Sequence, residues 1–255
     1  MKLLLVNDDG IFAPGLAALH DAVQDRAEVV VVAPHEEHSG MSHAITLDRP
    51  LRLKKLDQGY TVTGTPADCV KIGLTALNLK PDFLLSGINN GPNLGTDVLY
   101  SGTVAAAVEG VLNGIPSIAI SLAGPREFVP SAAKMARELL FEDPGFLLRP
   151  ELIPAAGVLN INIPARPREE IKGVRFTRMG VRKYDGFVHQ RQDPWGRHYY
   201  WLGGAPGALE SDELDIDIMA VDQGYVSITP LQFDLTNYQE LERLQRAKYD
   251  WPSSR

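Results

Sequence analysis

Short apolar runs recur through the first two thirds of the chain. They alternate with stretches whose apolar residues return every third or fourth position. The runs have the length and composition of buried strands, and the spaced stretches those of helices with one inner face. Leu3 to Val6 predicts a first strand, and Pro14 to Val23 a short helix with Leu16, Leu19, Ala22 and Val23 inward. Glu28 to Ala33 predicts a second strand, rich in valine and stopped by Pro34. Leu51 to Leu56 and Tyr60 to Thr63 predict a hairpin around Asp57-Gln58-Gly59. Thr65-Pro66-Ala67-Asp68 has the chemistry of a helix start: Thr as N-cap, Pro at the first helical position, Asp three residues beyond the cap. That helix reaches about Leu77. Asp82 to Ser86 is the next strand, Thr103 to Leu112 a helix, Ile115 to Ser121 a strand, Ser131 to Leu140 a helix and Val158 to Ile163 a strand. Repeated alternation of this kind predicts an α/β fold: a Rossmann-like doubly wound, mostly parallel sheet covered on both faces.

Past about Arg166 the pattern changes. Gly173 to Gly180 is a candidate strand, Tyr225 to Pro230 a further strand, and Asn237 to Tyr249 a terminal helix of mixed charge. Between them Tyr184 to Trp201 holds Phe187, Trp195, Tyr199 and Tyr200 without helical periodicity, as a hairpin or extended arm would. Aromatics on such an arm point to a subunit interface, or to an ordinary β appendage packed on its own domain. The division expected is 1–165 for the Rossmann-like core. Residues 166–255 would supply C-terminal strands, arm and terminal helix, completing the core and serving oligomerisation.

Composition narrows the possibilities. The chain has 255 residues, 44% apolar and 22% charged, which is ordinary for a globular protein with a sizeable core. A net charge of −7 without a long basic run argues against binding nucleic-acid polymers or anionic membranes. The lone Cys69 forms no internal disulfide and no multi-cysteine zinc site. The apolar start is too short for a signal peptide, and no apolar stretch approaches the roughly 20 residues that span a bilayer. The expected location is the cytoplasm.

The chemistry gathers in loops. Asn7-Asp8-Asp9-Gly10 follows the first strand, so two adjacent carboxylates stand where open α/β sheets bind ligands. Taken alone, Asp-Asp-Gly is a solvated turn; in company, it is a pair of repelling charges that a divalent cation relieves. After the second strand comes His35-Glu36-Glu37-His38-Ser39-Gly40-Met41-Ser42-His43. Ser39 can offer oxygen to a cation or a hydrogen bond to a phosphate. The histidine spacing fits no zinc pattern; His35 and His38 are set aside and His43 is kept as a candidate. Ser86-Gly87-Ile88-Asn89-Asn90-Gly91-Pro92-Asn93 suits tight turns, and its Asn oxygens suit hard cations. Two carboxylates, a hydroxyl and an amide carbonyl form an all-oxygen set that favours Mg²⁺ or Mn²⁺ over Zn²⁺. Ser101-Gly102-Thr103 opens a helix, either as a plain N-cap or as an anion site built from free backbone N–H groups.

In order, these stretches resemble the SurE family of stationary-phase survival proteins. They are Asn7-Asp8-Asp9-Gly10 with Ala13-Pro14-Gly15, Ser39-Gly40, Gly64-Thr65-Pro66-Ala67-Asp68-Cys69-Val70, Ser86-Gly87-Ile88-Asn89 with Gly91-Pro92-Asn93, and Tyr100-Ser101-Gly102-Thr103-Val104. Ser211-Asp212 and Gly224-Tyr225-Val226-Ser227-Ile228-Thr229-Pro230-Leu231 complete the series. The resemblance implies a metal-dependent nucleotidase that removes phosphate from nucleoside 5′- and 3′-monophosphates, some members also acting on polyphosphate. It implies one divalent cation per subunit, held by Asp8, Asp9, Ser39 and Asn89. It also implies a homodimer or homotetramer built by exchanging C-terminal segments. The acidic stretch from Ser211 to Asp217 is longer than the family's usual link.

On that reading Asp8 and Asp9 are catalytic, while Asn93, Ser101, Gly102, Thr103 and His43 meet substrate phosphate. Direct attack by water is expected over a phospho-aspartyl intermediate, because a carboxylate committed to a metal is a poorer nucleophile. A dinucleotide oxidoreductase is disfavoured, since the first turn is not Gly-x-Gly-x-x-Gly. A non-catalytic metal- and nucleotide-binding regulatory protein is the alternative.

Overall fold

The leucine- and valine-rich runs form the central layer. The computed structural model describes residues 1–142, 147–148, 157–207, 211 and 213–247, and only the backbone of 185, 187, 205 and 206. The Phe187 side chain, Asp212 and Tyr249, all named above, lie outside the described residues. The strands are β1 (Lys2–Val6), β2 (Glu28–Pro34), β3 (Leu53–Leu56), β4 (Gly59–Val62), β5 (Phe83–Asn90), β6 (Ser117–Ala123), β7 (Gly157–Pro164), β8 (Val174–Phe176), β9 (Tyr184–Gln192), β10 (His198–Pro206) and β11 (Val226–Gln232). The helices are α1 (Pro14–Val23), α2 (Pro66–Thr75), α3 (Gly102–Leu112), α4 (Val129–Phe141), α5 (Asp217–Asp222) and α6 (Tyr238–Arg246).

A nine-stranded sheet runs β3-β4-β2-β1-β5-β6-β7-β11-β8, and β9 pairs with β10 in a separate two-stranded ribbon. From β4 to β7 every neighbouring pair is parallel. The chain leaves β1 toward β2 on one side and returns to β5 on the other. The crevice at the carboxyl ends of β1 and β5 is therefore the switch point where such sheets bind ligands.

Side chains on β1 alternate between two cores, as the two-residue period of a strand requires. Leu3 and Leu5 pack with Leu16, Leu19 and Val23 of α1 and Met135 and Leu139 of α4. Leu4 and Val6 pack with Cys69 and Val70 of α2 and Val104 and Ala107 of α3. Burial on both faces explains why these strands read as continuous apolar runs.

Several elements differ from expectation. β2 runs through Pro34, whose missing N–H is harmless at a strand end and whose carbonyl accepts from Ile11 N–H at 2.8 Å. β5 continues through Asn90, where a loop was expected from Ser86. Its pairing with β6 shifts register between Ser86 and Asn89. Gly87 makes the shift possible: it has φ +137°, and a Cβ there would lie 2.2 Å from the Ile120 carbonyl oxygen. β8 covers only Val174–Phe176 of the longer strand expected. β11 pairs antiparallel with β7 and parallel with β8, so both late strands extend the main sheet. Among the described residues no helix is long and apolar enough to cross a membrane.

Candidate active site

β1 hands the chain to the turn Asn7-Asp8-Asp9-Gly10. Asn7 is fully buried and closes the turn by donating its amide to the Gly10 carbonyl at 2.9 Å. The two carboxylates then enter different surroundings. Asp8 is 4% exposed and sits against the start of α3, where Thr103 donates its hydroxyl to Oδ1 at 2.5 Å and its backbone N–H as well. Asp9 is half-buried, and its Oδ2 accepts the Asn90 N–H at 3.1 Å, tying the end of β1 to the end of β5.

The fit between Asp8 and α3 depends on a missing side chain. A Cβ at Gly102 would lie 2.8 Å from Asp8 Cβ and 3.0 Å from Oδ2. Ser101 caps the helix by accepting the Val104 N–H at 3.1 Å. The helix start expected to hold phosphate thus first holds the Asp8 carboxylate, with Thr103 engaged on it. Gly102 N–H and the Ser101 hydroxyl hydrogen are the donors left at that end.

Burial pushes Asp8 up to about 6; the neighbouring Asp9 charge adds to this, and the Thr103 hydrogen bonds oppose it. Burial also raises Asp9, with Glu37 adding and the Asn90 N–H and Arg126 opposing.

Ser39 is exposed and donates to Glu37 Oε1 at 2.6 Å. The connection that carries it is pinned along its length. His38 N–H reaches the Asp8 carbonyl at 2.8 Å, and Ser42 N–H the Tyr100 carbonyl at 3.0 Å. The Thr65 hydroxyl donates to the Ala44 carbonyl at 2.7 Å. His43 Nε2 lies 3.0 Å from Oε2 of Glu109, a buried acid on α3 that also takes Lys71 Nζ at 2.6 Å and Asn113 Nδ2 at 2.8 Å. The structure therefore brings His43 to Glu109, a partner the sequence did not suggest. Burial works against the Glu109 charge, but the bonds from His43, Lys71 and Asn113 outweigh it and hold the carboxyl below its usual range.

In the third loop, Asn89 donates its amide nitrogen to the Gly91 carbonyl at 2.9 Å, which leaves its oxygen as the group a cation can use. Asn93 is buried. Its backbone carbonyl accepts from Asn160 and Asn162, and its side-chain nitrogen donates to Ser121 at 2.8 Å, with one amide hydrogen to spare. Asn160 and Asn162 were missed, though the signal was visible: polar residues at alternate positions of the apolar run VLNINI. Asp217 was also missed. It is fully buried and accepts Gly95 N–H at 2.7 Å and Gly180 N–H at 2.8 Å.

Asp9 and Ser39 line one cleft of about 350 Å³ with Glu37, Asn90 and Arg126. Among the described residues no three His, Cys, Asp or Glu side chains converge as a metal site. The donors at hand are two carboxylates, a hydroxyl and an amide oxygen, which is the chemistry of a hard cation. Both carboxyls are held above their usual range, and a dication would favour their charged forms. The residues present fit such an ion.

The family model described as "Survival protein SurE" matches residues 3–186. A protein of Desulforudis audaxviator named 5′-nucleotidase SurE is 48% identical, covering 100% of both chains. A Vibrio cholerae protein of the same name is 47% identical over 96% of this chain and 96% of its own. The crystal structure of the SurE protein from Aquifex aeolicus superposes with a TM-score of 0.82 at 43% identity, covering 98% of this chain and 100% of that one.

Proposed function

The chain belongs to the SurE family, and we propose that it hydrolyses nucleoside 5′- and 3′-monophosphates to nucleoside and phosphate with the help of Mg²⁺ or Mn²⁺, one ion per subunit. It is a phosphoric monoester hydrolase of the nucleotidase kind. The observation that carries this reading is the seating of Asp8 beside Asp9 at the switch point, buried against the start of α3. Asp8, Asp9, Ser39 and Asn89 would hold the cation, which when bound neutralises charge on the transferring phosphoryl group. Gly102 N–H, the Ser101 hydroxyl and the spare Asn93 amide hydrogen hold phosphate oxygens. Thr103 keeps Asp8 in place. Asp9 orients the attacking water, and water attacks directly. The relatives' shared name is that of an enzyme, which favours catalysis over a purely regulatory role.

We assign catalysis to residues 1–165 and the subunit contacts of a homodimer or homotetramer to 166–255. The exposed Tyr200, Trp201 and Leu202 on β10 support that assignment. The enzyme works in the cytoplasm on small substrates, without nucleic-acid polymer or membrane. The test is phosphate release from AMP with Mn²⁺, with Mg²⁺ and with chelator. Turnover that needs the metal is expected. Turnover unchanged by exhaustive chelation, or none with either metal, would overturn the proposal.

A further inference from the structure

Beside the acid-pair cleft lies a second groove, of about 430 Å³, lined by His35, Glu36, His38, Arg49, Pro50 and Arg52 among others. His35 and Glu36 also line the acid-pair cleft, so the two spaces share a wall. The β3–β4 hairpin sets the far side: Arg52 N–H donates to Thr63 Oγ1 at 2.9 Å, and the Arg52 carbonyl accepts Thr63 N–H at 3.0 Å. The backbone of Arg52 is thereby fixed at the groove wall.

Arg49 and Arg52 are not neutralised. Among the described residues neither guanidinium has a salt bridge or hydrogen-bond partner, whereas Arg137 pairs with Asp25 and Arg182 with Asp97. Among the described residues, Glu36 is the one carboxylate on the groove wall. Two exposed arginines without a salt-bridge partner on the wall of one groove, in a chain of net charge −7, offer an anion a place to bind. Their planar donor forks match phosphate oxygens. A substrate with one phosphate is satisfied at the acid-pair corner and has no use for them.

Resting on that reading of the corner, we propose that the groove is a second anion subsite, which takes a further phosphate carried by the leaving nucleoside. The favoured substrate class is then nucleoside bisphosphates, with one phosphate cleaved at Asp8 and Asp9 and the other held by Arg49 and Arg52.

The experiment compares AMP with adenosine 3′,5′-bisphosphate on the wild type and on an R49Q/R52Q double variant, by calorimetric binding and by steady-state phosphate release. The wild type should bind the bisphosphate about tenfold more tightly than AMP, and the double variant should lose that preference. AMP hydrolysis by the variant should stay within about twofold of wild type, and added KCl should erode the bisphosphate advantage. A wild type without preference, or a variant that keeps it, overturns the subsite. So does an equal weakening for both ligands, which would mean that the groove reads the nucleoside. Binding reports on the groove even without turnover. Absent metal-dependent AMP turnover defeats the proposed function, whereas AMP turnover with no bisphosphate preference defeats the subsite alone.

Discussion

The acid-pair corner and the β9–β10 ribbon are opposites in construction. At the corner, polar groups are buried or half-buried and most are held, Asp8 by Thr103, Asp9 by Asn90, Asn93 by Ser121, Asn160 and Asn162, while Asn7 Oδ1, Ser86 Oγ and Asn160 Oδ1 have no partner among the described residues. On the ribbon, apolar groups are exposed, Trp201 by 64% and Leu202 by 86%, and among the described residues the two strands pair only with each other. The two acids of the first region are held in place by groups of one chain. A two-stranded ribbon is marginal in water without a surface to lie on. The role proposed for the corner rests on contacts within one chain, and the role proposed for the ribbon rests on an assembly.

The strongest way to break this comparison is to remove one charge from the corner. Asp8→Asn should lower metal-dependent phosphate release on the order of a thousandfold or more, with circular dichroism and cooperative melting retained. Near-wild-type turnover would mean that the corner is only structural. Gly102→Ala tests the geometry without touching charge. The added methyl must displace Asp8 or α3, so activity should fall on the order of 10- to 100-fold, with a stability loss of roughly 1–3 kcal/mol by chemical denaturation. Full activity would show that the close contact is incidental.

Glu109→Gln loosens the connection carrying Ser39 from behind. It should cost about 1–2 kcal/mol at neutral pH, the Lys71 contribution being discounted because that side chain is 45% exposed. A carboxyl held below its ordinary 4.5 adds stability above that pH and loses it as pH falls through the folded-state value. The variant's melting temperature should therefore fall less steeply than wild type below about pH 4.5. Parallel acid limbs would contradict the role given to His43, Lys71 and Asn113.

The smallest effect on folded stability is expected on the ribbon. Tyr200→Ser with Leu202→Ser should change the unfolding free energy of the chain by no more than about 0.5 kcal/mol per site. Sedimentation should nevertheless show a smaller assembly. An unchanged mass would remove the ribbon from the subunit contacts.

The sequence announced the parallel strands because burial on both faces leaves an unbroken apolar run, as in Leu3-Leu4-Leu5-Val6. It hid the length of β5, because Gly87 and two asparagines read as a loop although the strand bulges and pairs on. It could not tell that β11 would join β7, since pairing partners are set by long-range packing. Asp8 and Asp9 stood out through adjacency at a strand end. Arg126, Asp217 and Glu109 did not, because each reaches its partners from a distant segment and carries no local motif. Thr103 was visible, but its hydroxyl could equally have served phosphate; only the folded contact assigns it to Asp8.

Calorimetric titration of Mn²⁺ into the metal-free wild type and an Asp9→Asn variant tests the central claim most directly. One ion per chain should bind the wild type, and the variant should bind at least tenfold more weakly while keeping its fold. Equal binding by both proteins, or none by the wild type, would contradict the assignment of these acids to a cation.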